Sequence, residues 1–486
     1  MRILYIDIDT LRADHLGCYG YERATSPHID ALAAEGVRLE HCYASDTPCL
    51  PSRTALFSGR FGIRSGVISH GGTAADFIPE GPERGFLSRL TSASWPGRIR
   101  RAGLTTATIS SFGERHGAFH WYAGFREVQN PGMFGMEQAH DISPLALDWL
   151  ERNGGRDDWF LHVHMWDPHT PYRVPEDYGD PFQGAAHPDW LSEDVRARHW
   201  EGVGPHSARE VMGFDVPRAY GERFPRQPLQ VDSQERVRAM FDGYDVGIRY
   251  ADEHVGRLLN KLADLGVLDD TAVILSSDHG ETLGELNVYC DHHLADEHTN
   301  RIPCVVRWPG LPGGRVDRGL HYQFDMAASV LELLEQRVPA DWSGVSFADD
   351  LRAERDSGRD FLVLGQGAWT CQRSVRTRDH ICIRTYHDGY HELPDVMLFD
   401  LAHDPHEQRN LAADEPARVA ESLARLEQWH SEQMADHPTG TDPLWTVLRE
   451  GGPWHVVGHL PAYLERLRAT GRAEAADRLA KRYGVA

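Results

Sequence analysis

The stretch Ile3-Leu4-Tyr5-Ile6-Asp7-Ile8-Asp9 opens the chain as a short apolar run that ends in two carboxylates. A buried parallel strand has this composition, because helices cover both of its faces. Side chains two residues apart lie on the same face of a strand, so Asp7 and Asp9 point the same way. Because α/β folds carry their chemistry at the carboxyl ends of parallel strands, the stretch predicts an α/β fold with acidic groups at its functional edge.

Similar apolar runs alternate with helical patterns over most of the chain. The predicted strands are residues 105–109, 159–164 and 272–275, and the predicted helices are residues 26–35, 145–151 and 236–265. This alternation predicts a large, doubly wound mixed sheet flanked by helices. Residues 172–231 are rich in Pro, Trp, His and Gly, so we interpret them as an ordered excursion that lines a pocket.

The pattern changes near residue 356. Short strand patterns at 361–364, 371–377 and 380–386 precede a helix at 415–434, which predicts a smaller C-terminal antiparallel-sheet α+β subdomain. We therefore divide the chain into a catalytic α/β domain (1–355), this subdomain (356–436) and a helical extension (437–486). The extension contains one predicted amphipathic helix at 461–483, and it either covers the pocket or mediates contacts between subunits of a homo-oligomer.

Charge and composition narrow the function. A formal net charge of −23 argues against a nucleic-acid partner, because binding to phosphates needs clustered Lys and Arg. No apolar run approaches the roughly 18 residues that a membrane helix needs, so we expect no membrane span. The chain enters a strand pattern at once, without a secretory signal, which predicts a cytoplasmic protein. The cysteines are scattered and lack Cys-x-x-Cys spacing, which fits reduced thiols better than a disulfide framework or a zinc site.

The stretch Cys49-Leu50-Pro51-Ser52-Arg53 leads into a helical pattern that ends in Gly59-Arg60. It resembles the Cys-x-Pro-Ser-Arg signature of sulfatases, in which the cysteine is oxidised to formylglycine and its hydrate attacks sulfur. The resemblance implies that Cys49 is the precursor of the nucleophile and that Arg53 fixes the hydrate. A buried structural cysteine, or a Cys49 that stays a thiol, is the alternative.

Two further motifs resemble the metal site of the family. Asp9, at the end of the first strand, matches a ligand in the opening motif, and Ser277-Asp278-His279-Gly280-Glu281 matches the distal ligand pair Asp278 and His279. Thr10 stands where many relatives have a second aspartate. Asp7 either replaces that aspartate as a metal ligand or supports the ligands from behind. The resemblance implies that residue 49 completes the metal site.

The metal itself is a divalent cation. Carboxylate-rich sites suit calcium, whereas an imidazole ligand moves the preference toward manganese or zinc. The sulfatase family uses both kinds of site, and of the two we favour calcium.

The stretch Asp167-Pro168-His169-Thr170-Pro171-Tyr172 also resembles the family, where the histidine contacts the substrate and protonates the leaving oxygen. An exposed His169 suits a general acid near neutral pH. The preceding His162 and His164 share one strand face, so we interpret them as packed residues or as partners behind the ligands.

The two active-site lysines of many sulfatases are absent. At the first position the chain has Arg115 and His116, and an arginine fork can bind an oxyanion bidentately. Arg115 is therefore a substrate-binding candidate, with a surface arginine as the alternative, and His116 is the candidate acceptor for the proton of the second hydroxyl. At the second position we assign His293, with His292 and His298 as alternatives. His70 is a further pocket candidate.

The resemblance runs from residue 3 to roughly residue 430 and includes the late stretch 397–411, which is structural in the family. It implies a sulfuric ester hydrolase that cleaves a small sugar or aryl sulfate and that depends on a formylglycine-generating enzyme for maturation. The alternatives are a formylglycine-dependent phosphonate monoester or phosphodiester hydrolase, and a catalytically silent protein that binds sulfated glycans.

Overall fold

The computed structural model describes residues 1–78, 90–214, 221 and 223–485. The strands are β1 Arg2–Ile8, β2 Val37–Tyr43, β3 Asp46–Thr47, β4 Thr105–Ile109, β5 Glu127–Gln129, β6 Trp159–Met165, β7 Thr271–Ser276, β8 Thr282–Leu283, β9 Tyr289–Asp291, β10 Arg301–Arg307, β11 Arg315–Tyr322, β12 Leu362–Gln366, β13 Cys371–Arg376, β14 His380–His387 and β15 Val396–Asp400.

The α-helices of the described part lie between and after these strands. They are Pro27–Glu35, Cys49–Ser58, Gly62–Ser65, Leu90–Ala93, Trp95–Arg101, Phe112–Arg115, Ala139–Asn153, Glu193–Trp200, Gln234–Asp264, Glu297–Asn300, Gln323–Leu333, Ala348–Ala353, Pro416–Met434, Pro443–Arg449, Leu460–Ala469 and Ala473–Arg482. No helix among the described residues is both long and apolar enough to cross a membrane.

The large sheet has the strand order β11-β2-β10-β7-β1-β6-β4-β5. Its central strands β7, β1, β6 and β4 are parallel, whereas β10 runs antiparallel to both β7 and β2. The sheet is therefore mixed, as the sequence predicts. The three buried runs predicted after β1 correspond to β4, β6 and β7.

Alternation along β1 divides the core between the two faces of the sheet. Leu4, Ile6 and Ile8 pack into one apolar cluster, together with the helices Ala139–Asn153 and Gln234–Asp264. Ile3 and Tyr5 pack into the opposite cluster, with the helices Cys49–Ser58 and Gln323–Leu333. The side chain of Asp7 follows the second set by period two, which directs it toward the Cys49 helix.

The second sheet has the order β15-β14-β13-β12-β3, and the Pro416–Met434 helix packs against β13 and β14. The predicted antiparallel sheet with its helix is thus confirmed. The edge strand β3, which pairs in parallel with β12, comes from Asp46–Thr47, far ahead of the predicted boundary at residue 355. This strand carries the chain directly from the second sheet to Cys49.

The C-terminal extension differs from its prediction. The single helix expected at 461–483 is two helices, Leu460–Ala469 and Ala473–Arg482, and Gly471 between them has φ +79°. A left-handed residue of this kind ends a helix, and glycine adopts it without steric strain. The predicted excursion at 172–231 contains the helix Glu193–Trp200, and part of it (215–220 and 222) lies outside the described residues.

Candidate active site

A cavity of about 680 Å³ lies at the carboxyl edge of the large sheet. Residues that follow the ends of β4 and β6 line it, and Cys49 lies at its wall. The lining residues are Cys49, His70, Arg115, His116, Phe134, Met136, His169, Thr170, Pro171, His206, Met212, Asp291, His292, Trp369, Trp454 and His455. The cavity thus forms where α/β folds place their chemistry.

Cys49 is the first residue of a helix that is buried along its whole length. Its side chain is 1% exposed, and its Sγ lies 3.1 Å from His279 Nε2. His279 Nδ1 lies 2.7 Å from the carbonyl oxygen of Gly280, so Nδ1 carries the hydrogen and Nε2 offers its lone pair toward Cys49. The backbone of Gly280 therefore orients the imidazole toward residue 49.

Arg53 lies one turn further along this helix, among three buried carboxylates. Its Nε donates to Asp7 Oδ2 and its Nη1 to Asp9 Oδ2, each at 3.0 Å, and Nη1 also contacts Asp278 Oδ2. Arg53 Nη2 has no hydrogen-bond partner among the described residues. One guanidinium thus holds the three carboxylates around residue 49 and keeps a buried donor free.

His162 and His164 support the carboxylates from behind. The Nε2 atoms of these histidines lie 3.3 Å from Asp7 Oδ2 and Asp9 Oδ2, respectively. Hydroxyl groups at the end of β4 contact the other nitrogen of each ring at 2.9 Å. Both histidines therefore fix the orientation of an acidic side chain, which agrees with their interpretation as partners behind the ligands.

Four of the predicted metal residues meet at one point. The donor atoms of Asp9, Cys49, Asp278 and His279 all lie within 4.8 Å of one another. Asp9 Oδ1 is buried and lacks a hydrogen-bond partner in the described part of the chain. The donor set and the orphaned oxygen fit a divalent cation. Asp7 lies outside this group, with its Oδ2 shared between Arg53 and His162.

The carboxylates carry more negative charge than Arg53 balances. Burial alone would raise the pKa of Asp7, but Arg53 and His162 lower it to about 2. Arg53 likewise outweighs burial at Asp9 and holds its pKa well below the usual value. At Asp278, burial and the two neighbouring carboxylates raise the pKa well above the usual value. The cluster therefore gains from a further positive charge.

His169 lies at the pocket wall but is 5% exposed, so the expectation of an exposed imidazole is wrong. Its Nδ1 contacts the carbonyl oxygen of Thr170, which leaves Nε2 free for a substrate. Burial, Arg115 and His292 lower the pKa of His169 well below its usual value, although Asp9 opposes them. An anionic substrate would raise the proton affinity of this ring.

Arg115, His116 and His70 line the same pocket, as their candidate roles require. Arg115 is exposed, and its guanidinium lies over the ring of Trp166 at 5.2 Å. His116 Nε2 is buried without a hydrogen-bond partner among the described residues. The rings of His70 and His116 lie 4.8 Å apart.

His293 does not line the pocket, and its neighbour His292 does. The His292 ring lies 4.2 Å from that of His279, whereas the His293 ring stacks at 4.0 Å against Trp369, which itself lines the pocket. His298 is engaged elsewhere, by Arg12 and by the carbonyl oxygen of Pro405. Of the histidines in this segment, His292 is the one whose donor atom groups with those of Cys49 and His279, all within 4.8 Å of one another.

Several pocket residues were missed by the sequence analysis. Trp369 follows β12, and Trp454 and His455 come from the C-terminal extension. His455 Nε2 lies 2.9 Å from His70 Nδ1, and the His455 ring stacks on Trp369 at 4.5 Å. The extension was predicted either to cover the pocket or to mediate contacts between subunits, and its residues Trp454 and His455 do line the pocket. No local motif marked these residues.

Comparison with known proteins agrees with this geometry. The Sulfatase family model matches residues 2–336, and the model for the C-terminal part of N-sulphoglucosamine sulphohydrolase matches residues 284–433. The fold and the family match define a hydrolase with an α/β fold. The chain belongs to the sulfatase family, and it is accordingly a sulfuric ester hydrolase.

The curated relatives and solved structures cover most of the chain. An N-acetylglucosamine-6-O-sulfatase of Bacteroides thetaiotaomicron is 24% identical over 92% of this chain and 89% of its own length. A choline-sulfatase of Rhizobium meliloti is 26% identical over 80% of this chain and 77% of its own.

Two solved structures share the fold. One, determined in complex with its substrate D-glucosamine-2-N,6-O-disulfate, has a TM-score of 0.71 at 19% identity and covers 90% of this chain and 99% of its own. The other, a phosphonate monoester hydrolase from Silicibacter pomeroyi, has a TM-score of 0.68 at 20% identity and covers 90% and 96%.

Proposed function

We propose that this sulfatase cleaves the sulfate monoester of a sugar or an aryl compound, with formylglycine derived from Cys49 as nucleophile and a divalent cation, calcium by preference, beside it. The observation that carries the proposal is the position of Cys49. Its Sγ lies 3.1 Å from His279 Nε2, next to Asp9 and Asp278, at the wall of the 680 Å³ pocket.

An unmodified thiol is a poor candidate for this role. Burial and the carboxylates of Asp9 and Asp278 raise the pKa of Cys49 well above its usual value, so the thiol keeps its proton. A hydrated formylglycine supplies two hydroxyl groups, one that attacks sulfur and one whose deprotonation expels sulfate. A formylglycine-generating enzyme is the maturation partner that this proposal requires.

The cation would be held by Asp9, Asp278, His279 and residue 49. When bound, it acidifies the nucleophile and polarises a sulfuryl oxygen. The two carboxylates agree with calcium, and the single imidazole leaves room for manganese or zinc. Asp7 would act through Arg53 and His162, because both of them contact its Oδ2.

The side chains around residue 49 perform the remaining tasks. Arg53 places positive charge among the carboxylates through Nε and Nη1, and its partnerless Nη2 can hold a hydroxyl of the nucleophile. His169 Nε2 is available to protonate the leaving oxygen once the anionic substrate has raised its proton affinity. His116 Nε2 is available to accept the proton of the second hydroxyl. Arg115 and His292 would bind sulfate oxygens where relatives use lysines.

Aromatic side chains support a sugar or an aryl group as the organic part. Trp369 and Trp454 line the pocket together with Phe134, and Trp454 is 51% exposed. Flat aromatic faces bind rings by stacking and by burial of apolar area. A relative named as an N-acetylglucosamine-6-O-sulfatase and a structural neighbour solved with a glucosamine disulfate favour a sulfated sugar.

The second candidate is a phosphonate monoester hydrolase, because one solved structure of that activity shares the fold. Sulfate and phosphonate monoesters are both tetrahedral oxyanions, so the pocket can accept either. The curated relatives are sulfatases, which favours sulfate.

The test is kcat/KM for an aryl sulfate against the matching aryl phosphonate monoester. The protein is co-expressed with a formylglycine-generating enzyme, residue 49 is checked by mass spectrometry, and Cys49→Ala is the blank. We expect a clear preference for the sulfate that the blank abolishes. A preference for the phosphonate would instead establish the second candidate, and equal rates for the blank would refute the role of residue 49.

A further inference from the structure

A second group of metal-ligating side chains lies in the pocket wall, apart from the carboxylate cluster. It consists of His206, Asp291 and His293, which are 7%, 6% and 0% exposed. Their donor atoms lie within 4.8 Å of one another. From this geometry we infer a second cation site, with zinc as the cation that a His-Asp-His donor set suits best.

The distances agree with a shared ion. His206 Nε2 lies 3.2 Å from Asp291 Oδ2, and His293 Nε2 lies 3.6 Å from Asp291 Oδ1. Ligands of a tetrahedral zinc ion, with bonds of about 2.0 to 2.1 Å, are separated by about 3.3 Å. The three donor atoms, all within 4.8 Å of one another, are therefore close enough for one ion to contact them after small side-chain movements.

The hydrogen bonds around His293 leave a donor atom for a cation. His293 Nδ1 lies 3.1 Å from His391 Nε2, and the opposite nitrogen, Nε2, is buried without a hydrogen-bond partner in the described part of the chain. With its hydrogen on Nδ1, His293 donates to His391 and directs the Nε2 lone pair toward Asp291. A partner that fixes the tautomer in this way is common behind metal-bound histidines.

The surroundings agree with this assignment. Among the described residues, Asp291 forms ion pairs with histidines alone, so no arginine neutralises it. The group Glu285, His298 and His406 is different, because Arg12 Nη1 lies 3.0 Å from Glu285 Oε1 and already supplies a cation.

Backbone conformation and packing preform the group. His206 has φ +58°, a conformation that non-glycine residues adopt rarely and that occurs often at functional sites. Trp369 stacks on the His293 ring at 4.0 Å and meets the His206 ring edge-on at 5.2 Å. The two imidazoles are thus held in place before any ion binds, which lowers the entropy lost on binding.

The position of the site suggests its use. His206 and Asp291 line the cavity, so the fourth coordination position of a tetrahedral ion would be open to the substrate and could take an oxygen of its organic part. This use rests on the proposed function, whereas the binding of zinc does not.

The test counts zinc instead of activity. The full chain carrying Cys49→Ala and His279→Gln, which lacks the nitrogen and sulfur donors of the carboxylate cluster, is stripped with a chelator, dialysed against zinc chloride and desalted. We expect one zinc per chain by elemental analysis. Adding His206→Gln or Asp291→Asn should remove it.

The matched control is His321→Gln, which alters another buried histidine that pairs with an aspartate, Asp317, at 3.1 Å but that belongs to no group of three possible metal ligands among the described residues. It should leave the zinc count unchanged. X-ray absorption of the zinc-loaded parent protein gives a second readout should a variant fail to fold, and it should show two imidazoles and oxygen around the ion. Absence of zinc from the parent protein, a count that neither substitution lowers, or an all-oxygen spectrum would each overturn the inference.

Discussion

The ion pair between Arg373 and Asp442 fastens the C-terminal extension to the second sheet. Arg373 donates to the Asp442 carboxylate through Nη1 at 2.6 Å and through Nη2 at 2.8 Å, and both side chains are buried. Asp442 also accepts from the backbone N–H of Leu444 at 2.9 Å and thereby caps the helix Pro443–Arg449. We predict that Asp442→Asn destabilises the folded protein.

The expected loss of stability follows from the fact that Asp442→Asn keeps the shape of the side chain and removes only its charge. Asparagine has nearly the same shape and is as good a helix cap, so the cap and the packing remain. The Arg373 guanidinium, however, loses its counter-charge while it stays buried. Breaking a buried ion pair from one side costs about 3 to 5 kcal/mol. We expect a loss of that order in the free energy of unfolding at neutral pH.

The pH dependence supplies an internal check. Burial raises the pKa of Asp442, but Arg373 and the Leu444 N–H outweigh it and lower the pKa below the usual value. A group whose pKa is lowered by folding stabilises the protein above its unfolded pKa, about 3.9, and loses this contribution as pH falls through the lower folded value. The difference between Asp442→Asn and wild type should therefore be full at neutral pH and shrink below about pH 4.

The assay is urea unfolding followed by tryptophan fluorescence, since Trp429 lies 5.4 Å from the Arg373 guanidinium. Asp436→Asn is the matched control, because Asp436 pairs with Arg64 at the surface and should change stability little. A loss at Asp442→Asn of less than about 1 kcal/mol at neutral pH, or one that persists unchanged to pH 3, would refute the reasoning.

Two further predictions concern the pocket. Trp454→Ala should lower kcat/KM for a sugar sulfate about two- to tenfold through lost stacking, and it should change kcat/KM for a small alkyl sulfate little. Trp445 lies in the same extension but outside this pocket, so Trp445→Ala should leave kcat/KM for both substrates unchanged. His292→Ala should lower kcat on an aryl sulfate by about 10² to 10³, because the substitution removes a hydrogen-bond donor to the charged sulfate oxygens. The control His321→Gln should leave kcat unchanged. Equal effects of the two histidine substitutions would contradict the placement of His292.

The parts of the site that lie on regular strands could be predicted from the sequence. Asp7 and Asp9 follow from period two along β1, and His162 and His164 follow from the same rule along β6. Asp278 and His279 can both reach one point because β7 ends at Ser276, before them, so strand alternation does not force their side chains to opposite faces.

The remainder depends on contacts that leave no local pattern. His292 and His293 are adjacent in a short irregular segment, and contacts with distant residues, Trp369 and His391 for His293 and His279 for His292, decide which of them faces the cavity. The burial of His169 depends on side chains from distant segments, which the motif around it does not reveal. Strand β3 is two residues long, too short for a periodic signal, and Trp454 reaches the pocket across more than 400 positions from Cys49.

Burial of Cys49 has a consequence for the order of events during biosynthesis. The side chain that covers its sulfur, His279, lies 230 positions later in the chain. At about 5 to 20 residues per second, a ribosome needs about ten to forty-five seconds to make that length of chain. An enzyme that oxidises Cys49, as the proposed function requires, would have this interval to reach the sulfur before His279 is in place beside it.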